Sequence, residues 1–401
     1  MPTLLDAADA FSKLGKKRIS IHEAACVRVR HRRASCSACL RVCAPKAITI
    51  ENNTLTIENN LCTGCGACTS VCPTEALRLM DDPVYAVMTT IDELSPGETI
   101  TLACAHLVNQ QAHLEEANPS FPDTAHLICI PCLASLDETV LVHGAEAETP
   151  VHYCSAECAD CPNQNRVLIG DIIEQAKGIV WATNKASERT RGTSLRLDLN
   201  WTQTPASDTG SKIKKRADTS PEMSRRGVFD HFVSRTTDSV AEAAVSTIYV
   251  AQSSKEKTPM LAQNLIQADG MMKTVEVKRN ERLLNDLYRF DPNLGQASET
   301  ATLPTRLFGE VLLDAKACTL CGICMNFCPS GALSGIPNPP VNPFVAATRA
   351  TALTGELAFR ANDCVACHLC VDICPHNALD LQGGIAAEDL FALEPRVLFA
   401  S

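Results

Sequence analysis

The sequence predicts an α+β multidomain protein in which two similar cysteine-rich units flank a smaller α/β segment. The 22 cysteines fall in three groups, with eight in residues 26–72, six in 104–161 and eight in 318–374. The first and third groups repeat one two-motif pattern, which indicates an internal duplication. The middle group lies where strand-like and helix-like patterns alternate, as in βαβ units.

The composition is typical of a protein that buries hydrophobic cores and does not bind nucleic acid. Hydrophobic residues make up 45% of the 401 residues, aromatic residues only 4%, and the formal net charge is −10. Few aromatic rings leave little surface for stacking on bases, and a net negative charge repels phosphates. No apolar run approaches the roughly 18 residues that span a bilayer. The first 20 residues favour a short amphipathic helix, not a secretory signal, so we expect a cytoplasmic protein without a membrane span.

Cysteine spacing, turn residues and charge predict five segments. Cysteine-rich units cover residues 1–85 and 301–401, and the α/β segment covers residues 86–200. A polar, charged stretch with few large apolar residues predicts a flexible linker over 201–224. Helical spacing, as in RLLNDLYRF, predicts a helical spacer over 225–300.

Three complete motifs share the spacing C-x2-C-x2-C-x3-C-P: CTGCGACTSVCP, CTLCGICMNFCP and CVACHLCVDICP. Strand-like segments precede them, and AITIENNTLTIENN predicts a β-hairpin. In these motifs the sequence resembles the bacterial-type ferredoxins that carry two [4Fe-4S] clusters. The resemblance implies that both outer units are ferredoxin-like dicluster domains.

The resemblance also implies crossed ligands within each unit. The first three cysteines of a motif hold one cluster, and the cysteine before proline ligates the other cluster of the pair. In the C-terminal unit the two implied sets are Cys318, Cys321, Cys324 and Cys374, and Cys364, Cys367, Cys370 and Cys328. In the N-terminal unit one implied set is complete: Cys62, Cys65, Cys68 and Cys43.

The other set of the N-terminal unit lacks a ligand at the expected position. Arg33 stands where the opening cysteine of the first motif should be, so Cys36, Cys39 and Cys72 have no fourth thiol there. Cys26 is the only nearby candidate, and an excursion of nine residues can return it to the cluster at a small loop-closure cost. We therefore predict that Cys26 completes this set; the alternatives are a three-iron cluster or a lost cluster.

The excursion between Cys26 and Cys36 is strongly basic. It carries four arginines and a histidine: Arg28, Arg30, His31, Arg32 and Arg33. One interpretation is a solvated basic loop. The other is that these cations raise the potential of the nearby cluster, or steer an acidic partner toward it.

The middle segment has strand-like runs that each end in cysteine, namely ETITLAC, AHLICIPC and PVHYC. Because ligands bind at the carboxyl edge of a parallel sheet, we expect six cysteines to meet there. They are Cys104, Cys129, Cys132, Cys154, Cys158 and Cys161. The run C-SAE-C-AD-C-P is similar to the cysteine loops of small α/β electron-transfer subunits associated with hydrogenases and heterodisulfide reductases.

Three interpretations of these six cysteines stay open. The first is a fifth iron–sulfur cluster, held by Cys154, Cys158 and Cys161 with a cysteine from Cys104 or the Cys129/Cys132 pair. The second is a zinc site made from two C-x2-C pairs. The third is a redox-active dithiol at C-IP-C.

Outside the cysteines, we identify no catalytic residues: the sequence has no G-x-G-x-x-G run, no P-loop and no evident Ser/His/Asp arrangement. The resemblance implies an electron-transfer subunit of an oxidoreductase complex, relaying electrons through four or five [4Fe-4S] clusters. Its expected partners are a formate- or hydrogen-type dehydrogenase and an acceptor. The alternatives are a thiol–disulfide or heterodisulfide-type reductase with its chemistry on the middle segment, and an assembly protein with structural metal.

Overall fold

The structure is a computed structural model that describes residues 18–112, 126–156, 158, 161–187, 194–204, 272–296, 302–336 and 355–400. All of them belong to one compact unit of the chain, formed by Met1–Ala206 and Met271–Ser401. Most of the predicted N-terminal helix lies outside the described residues, and its last residues, Ile19 and Ser20, form part of a strand instead. So do residues 205–271, which include most of the predicted linker and much of the predicted helical spacer.

Two antiparallel strand pairs frame the N-terminal unit. β1 (Ile19–Ile21) pairs with β4 (Leu77–Leu79), and β2 (Ile48–Glu51) pairs with β3 (Thr54–Ile57). The second pair is the hairpin that the sequence predicts, and Asn52 and Asn53 turn it with positive φ angles of 48° and 57°. Three short helices lie between the strands: α1 (Val27–Arg30), α2 (Ala38–Val42) and α3 (Ala67–Ser70).

The middle segment forms a four-stranded parallel sheet in the order β6–β5–β7–β8. Its strands are β5 (Ile100–Cys104), β6 (Leu127–Ile130), β7 (Val151–Ala156) and β8 (Leu199–Thr204). Its helices are α4 (Pro83–Glu93), α5 (Ala105–Ala112), α6 (Glu138–Glu146) and α7 (Arg166–Ser187). Every residue of β5 is buried, as is usual for an inner strand of a parallel sheet. β8 extends to Thr204, so the sheet includes the first residues of the predicted linker.

The C-terminal unit repeats the strand pairing of the N-terminal unit. Helix α8 (Lys278–Phe290) precedes this unit, whose own helices are α9 (Ile323–Phe327) and α10 (Leu369–Ile373). Its strands are β9 (Thr302–Leu303), β10 (Gly309–Leu313), β11 (Leu333–Ile336), β12 (Glu356–Phe359), β13 (Leu379–Gly383), β14 (Ile385–Ala386) and β15 (Arg396–Ala400). β10 pairs with β13 and β11 with β12, all antiparallel, as the corresponding strands do in the N-terminal unit. The repeated pairing agrees with the internal duplication seen in the sequence.

Helix α8 connects the middle segment to both outer units. Its apolar residues Leu283, Leu287 and Phe290 are buried in a hydrophobic core that extends through the middle segment and the C-terminal unit. The run RLLNDLYRF, which predicts a helix, lies within α8. Among the described residues, no helix is both long and apolar enough to cross a bilayer.

A buried ion pair fixes the start of α8. Arg279 Nε donates to Asp137 Oδ2 at 2.8 Å, and its Nη2 donates to the Thr69 carbonyl at 2.8 Å. Burial alone would raise the pKa of Asp137, but the guanidinium groups of Arg279 and Arg282 bring that pKa below its ordinary value. A charged carboxylate is therefore held inside the protein by the two arginines.

Candidate metal centres

Two cavities in the C-terminal unit are each lined by four thiols from both motifs. One, of about 400 Å³, is lined by Cys318, Cys321, Cys324 and Cys374. The other, of about 320 Å³, is lined by Cys328, Cys364, Cys367 and Cys370. The fold thus brings together the members of each crossed set that the resemblance implies.

The chemistry of these cavities suits an inorganic cluster. Burial raises the pKa of Cys364 to about 12. Burial also raises the pKa of Cys324, and the neighbouring thiols Cys321, Cys318 and Cys374 add to that effect. Four buried thiolates repel one another unless a metal supplies compensating positive charge. Soft sulfur ligands around a space unfilled by protein atoms are the surroundings that iron–sulfur clusters take.

The N-terminal unit contains two corresponding groups of thiols. Burial, together with the thiols of Cys72, Cys36 and Cys26, raises the pKa of Cys39 to about 12. Burial also raises the pKa of Cys68, with contributions from Cys65, Cys39, Cys62 and Cys43. The structure therefore places Cys26 beside Cys36, Cys39 and Cys72.

Cys26 has the same position relative to its strand as the first cysteine of each complete motif. It lies five residues after the end of β1, just as Cys62, Cys318 and Cys364 lie five residues after β3, β10 and β12. In all four cases the backbone N–H of the cysteine donates to a carbonyl three or four residues earlier. Nine residues then separate Cys26 from Cys36, where two separate Cys62 from Cys65. The first motif is thus interrupted after its opening cysteine.

The complete motifs share a backbone feature that the interrupted motif lacks. The second and fourth residues after the opening cysteine have positive φ: Gly64 and Gly66, Leu320 and Gly322, Ala366 and His368. Such left-handed residues curl a short loop into a concave backbone. Residues 27–37, all described, contain none. The N-terminal insertion therefore replaces this loop with a different path.

A recurring hydrogen bond holds three of the cysteines that close a motif. The backbone N–H of Ala47, Ala76 and Ala378 donates to the Sγ of the cysteine four residues earlier, at 3.3, 3.2 and 3.3 Å. An alanine stands at this place after all four closing cysteines, a repeat that the cysteine spacing alone does not predict. Donation to sulfur favours its charged form and fixes its direction.

In the middle segment, a further cavity lined by four thiols lies at the carboxyl edge of the sheet. It measures about 340 Å³ and is lined by Cys104, Cys132, Cys158 and Cys161. Two other predicted ligands do not line it: Cys129 is exposed, and Cys154 Sγ accepts a hydrogen bond from Thr202 Oγ1 at 3.5 Å. The sequence predicts that Cys154 belongs to this set, but Cys154 is not among the four thiols that line the cavity.

Cys132 lacks the character of an activated thiol. Burial is the main cause that raises its pKa to about 12, and the thiols of Cys65 and Cys104 add to it. The Asn165 side chain donates to its Sγ at 3.6 Å without reversing this effect. Because thiol–disulfide exchange needs a thiolate, Cys132 without a compensating positive charge is not activated for exchange at C-IP-C.

The thiol sets form a series of neighbours. Burial is the main cause of the raised pKa of Cys370, Cys367, Cys68 and Cys132, and a thiol from an adjacent set contributes to each. The linking pairs are Cys324–Cys370, Cys367–Cys36, Cys68–Cys39 and Cys132–Cys65. The series therefore begins at the Cys318 set, crosses to the N-terminal unit and ends at the middle cavity.

The basic excursion forms the contact between the two outer units. A small hydrophobic cluster contains Val27, Ala34, Leu369 and Ile373. Ser35 donates to the Asp372 carboxylate from its backbone N at 2.6 Å and from its Oγ at 3.0 Å. The rings of His31 and Phe327 meet edge to face, with 5.0 Å between their centroids. Two sets from different units are neighbours because of this interface.

Comparison with known protein families identifies two parts of the chain. A 4Fe-4S dicluster domain matches residues 317–379, and a 4Fe-4S binding domain matches residues 55–78. Searches of curated proteins and of solved structures found no significant match. The first matched segment contains all eight cysteines that line the two cavities of the C-terminal unit. Two segments of the chain thus match 4Fe-4S families, one a dicluster domain and the other a 4Fe-4S binding domain.

Proposed function

We propose that this protein is an electron-transfer subunit that connects a formate- or hydrogen-type dehydrogenase to an acceptor. The observation that carries the proposal is the assembly of four thiols around each described cavity, together with the packing of Cys36 and Cys367 against one hydrophobic cluster between the outer units. Bound [4Fe-4S] clusters supply one-electron transfer. Cysteines in C-x2-C runs, as metal or redox ligands, suit a reducing compartment, so we place the protein in the cytoplasm.

In this proposal the chain holds four clusters in its outer units, each with crossed ligands. The sets are Cys26, Cys36, Cys39 and Cys72; Cys62, Cys65, Cys68 and Cys43; Cys318, Cys321, Cys324 and Cys374; and Cys364, Cys367, Cys370 and Cys328. Apolar side chains would exclude water from these sites. Leu320, Met325 and Leu357, for example, line the cavity of the Cys318 set. Such an apolar shell controls solvent access and hence the reduction potential.

We further propose that Cys104, Cys132, Cys158 and Cys161 hold a fifth iron–sulfur cluster. One observation supports iron over zinc: the loop that carries Cys132 contacts the segment that carries Cys65 and Cys68, as an electron relay needs. Ser70 Oγ donates to the Ala134 carbonyl at 2.7 Å across this contact.

The role of Cys26 can be tested by anaerobic purification and by iron and sulfide analysis of single variants. Cys26→Ser should lose about one to four irons per chain, because its set loses a thiol and becomes a three-iron or empty site. Cys129→Ser is the matched control, since Cys129 is exposed and lines no described thiol cavity. Unchanged iron content and spectra in Cys26→Ser would refute its role as a ligand.

The fifth site is tested with a second pair of variants. Cys132→Ser should lose iron, whereas Cys154→Ser should keep it, because only Cys132 lines the cavity. Zinc in place of iron in the native protein would show a zinc site. Turnover of a disulfide substrate by the purified chain, abolished in Cys132→Ser, would favour the reductase alternative.

A further inference from the structure

One arginine of the basic excursion is buried at the interface between the outer units. Arg30 is 5% exposed, whereas Arg32 and Arg33 are exposed. Its Nε donates to the Ala24 carbonyl at 2.7 Å, and its Nη2 donates to the Lys273 carbonyl. Its Nη1 is buried and has no hydrogen-bond partner among the described residues. A buried cationic nitrogen without a partner is unfavourable unless negative charge lies nearby.

The acceptor Lys273 places this guanidinium beside the C-terminal unit. Two hydrogen bonds hold residues 272–275 along residues 326–329: Met272 N to Asn326 Oδ1 at 2.9 Å, and Val275 N to Pro329 O at 2.7 Å. Lys273 lies between the two donors, and Cys328 lies between the two acceptors. Arg30 therefore reaches from the N-terminal unit to the neighbourhood of Cys328.

The electrostatic surroundings of Arg30 agree with this placement. Burial lowers the pKa of Arg30, and the thiols of Cys328 and Cys367 act in the opposite direction. Both belong to one cavity, which Cys364 and Cys370 also line. A guanidinium stays charged at any working pH, so it presents a fixed positive charge to this cavity.

We propose that Arg30, from the N-terminal unit, raises the reduction potential of a cluster in the C-terminal unit. That cluster is the one held by Cys328, Cys364, Cys367 and Cys370. The inference rests on the proposed function, because it needs a bound cluster. A buried positive charge favours the form that carries one more electron, and Arg30 gives up no proton in the process. Salt screens such a buried charge only weakly. Of the two interpretations of the basic excursion, solvation describes Arg32 and Arg33 but not Arg30.

The test is an EPR-monitored redox titration of the full-length, cluster-loaded protein and its Arg30→Gln variant. In Arg30→Gln, one couple should move to a lower potential by about 59 mV. At a fixed potential, the ratio of its reduced to its oxidised form should therefore fall about tenfold. Arg33→Gln, which removes an exposed charge three positions after Arg30, is the matched control and should leave every couple in place. Arg30→Lys should leave the couple near its native potential, because lysine keeps the positive charge.

A second background identifies the couple that moves. In Cys364→Ser/Cys370→Ser protein the affected couple should be missing, and Arg30→Gln should move none of those that remain. A couple that still moves in this background would belong to another set and would overturn the assignment across the interface. Arg30→Gln protein with full iron content and unmoved potentials would overturn the proposal while leaving the electron-transfer function intact.

A measurement on the native protein covers the case in which Arg30→Gln does not fold. Reduced protein labelled with 15N-arginine should show a 15N coupling in pulsed EPR, within the signal that Cys364→Ser/Cys370→Ser protein lacks. No 15N coupling in that signal would contradict a guanidinium beside the cluster. Native protein without iron would instead contradict the proposed function itself.

Discussion

Replacing Arg279 with methionine tests how strongly α8 is fixed to the rest of the fold. The change keeps the aliphatic stem but leaves Asp137, whose side chain is 2% exposed, without its closest cation. Removing one partner of a buried pair costs about 3–5 kcal/mol, because the remaining charge stays desolvated. Arg282 Nη2 still lies 3.2 Å from Asp137 Oδ2, so we expect the lower end, about 3 kcal/mol.

Anaerobic urea unfolding followed by circular dichroism measures this loss. At a slope of about 3 kcal/mol per molar, the midpoint should fall by about 1 M with the slope unchanged. Arg289→Met is the control: its ion pair with Asp92 is about half exposed on both sides, so its loss should cost under about 1 kcal/mol. A midpoint for Arg279→Met no lower than that of Arg289→Met would refute the reasoning.

Three further variants test the loop geometry and a buried histidine. Gly66→Ala should destabilise by about 2–4 kcal/mol in urea titrations, because φ is +77° and the new Cβ would lie 2.5 Å from Leu79 Cδ1. His368→Gly should stabilise by about 0.5 kcal/mol, since an exposed side chain at φ +60° gives up left-handed strain; a loss of stability would contradict this. Burial would lower the pKa of His143, but Asp286 raises it above 6.5 overall. Its stabilising effect is therefore complete below pH 6.5 and lost as pH rises through the raised pKa. The urea midpoint should fall over that range in native protein and stay flatter in His143→Gln.

Local patterns in the sequence predicted much of the fold and of the outer sets. The hairpin at Ile48–Ile57 and the strands that end near Cys104 follow from alternation and turn residues. The proximity of Cys26 to Cys36 predicted its place in the set, whereas the five-residue spacing after β1 emerged only from the structure, because the sequence predicted a helix over residues 1–20. These features depend on residues close together in the chain.

Contacts between distant parts of the chain could not be predicted in this way. Nothing near Ser35 in the sequence points to Asp372, which it contacts across 337 positions. The same is true of the middle cavity. Neighbouring strand residues face opposite sides, so the choice of Cys104 over Cys154 depends on how the strands and their following loops are placed in space.

Iron and acid-labile sulfide content after purification under strict exclusion of oxygen tests the central claim most directly. We predict about 16 irons per chain from the outer sets and up to about 20 with the middle cavity filled, with nearly equal sulfide. A folded, colourless chain that carries no iron would contradict the account.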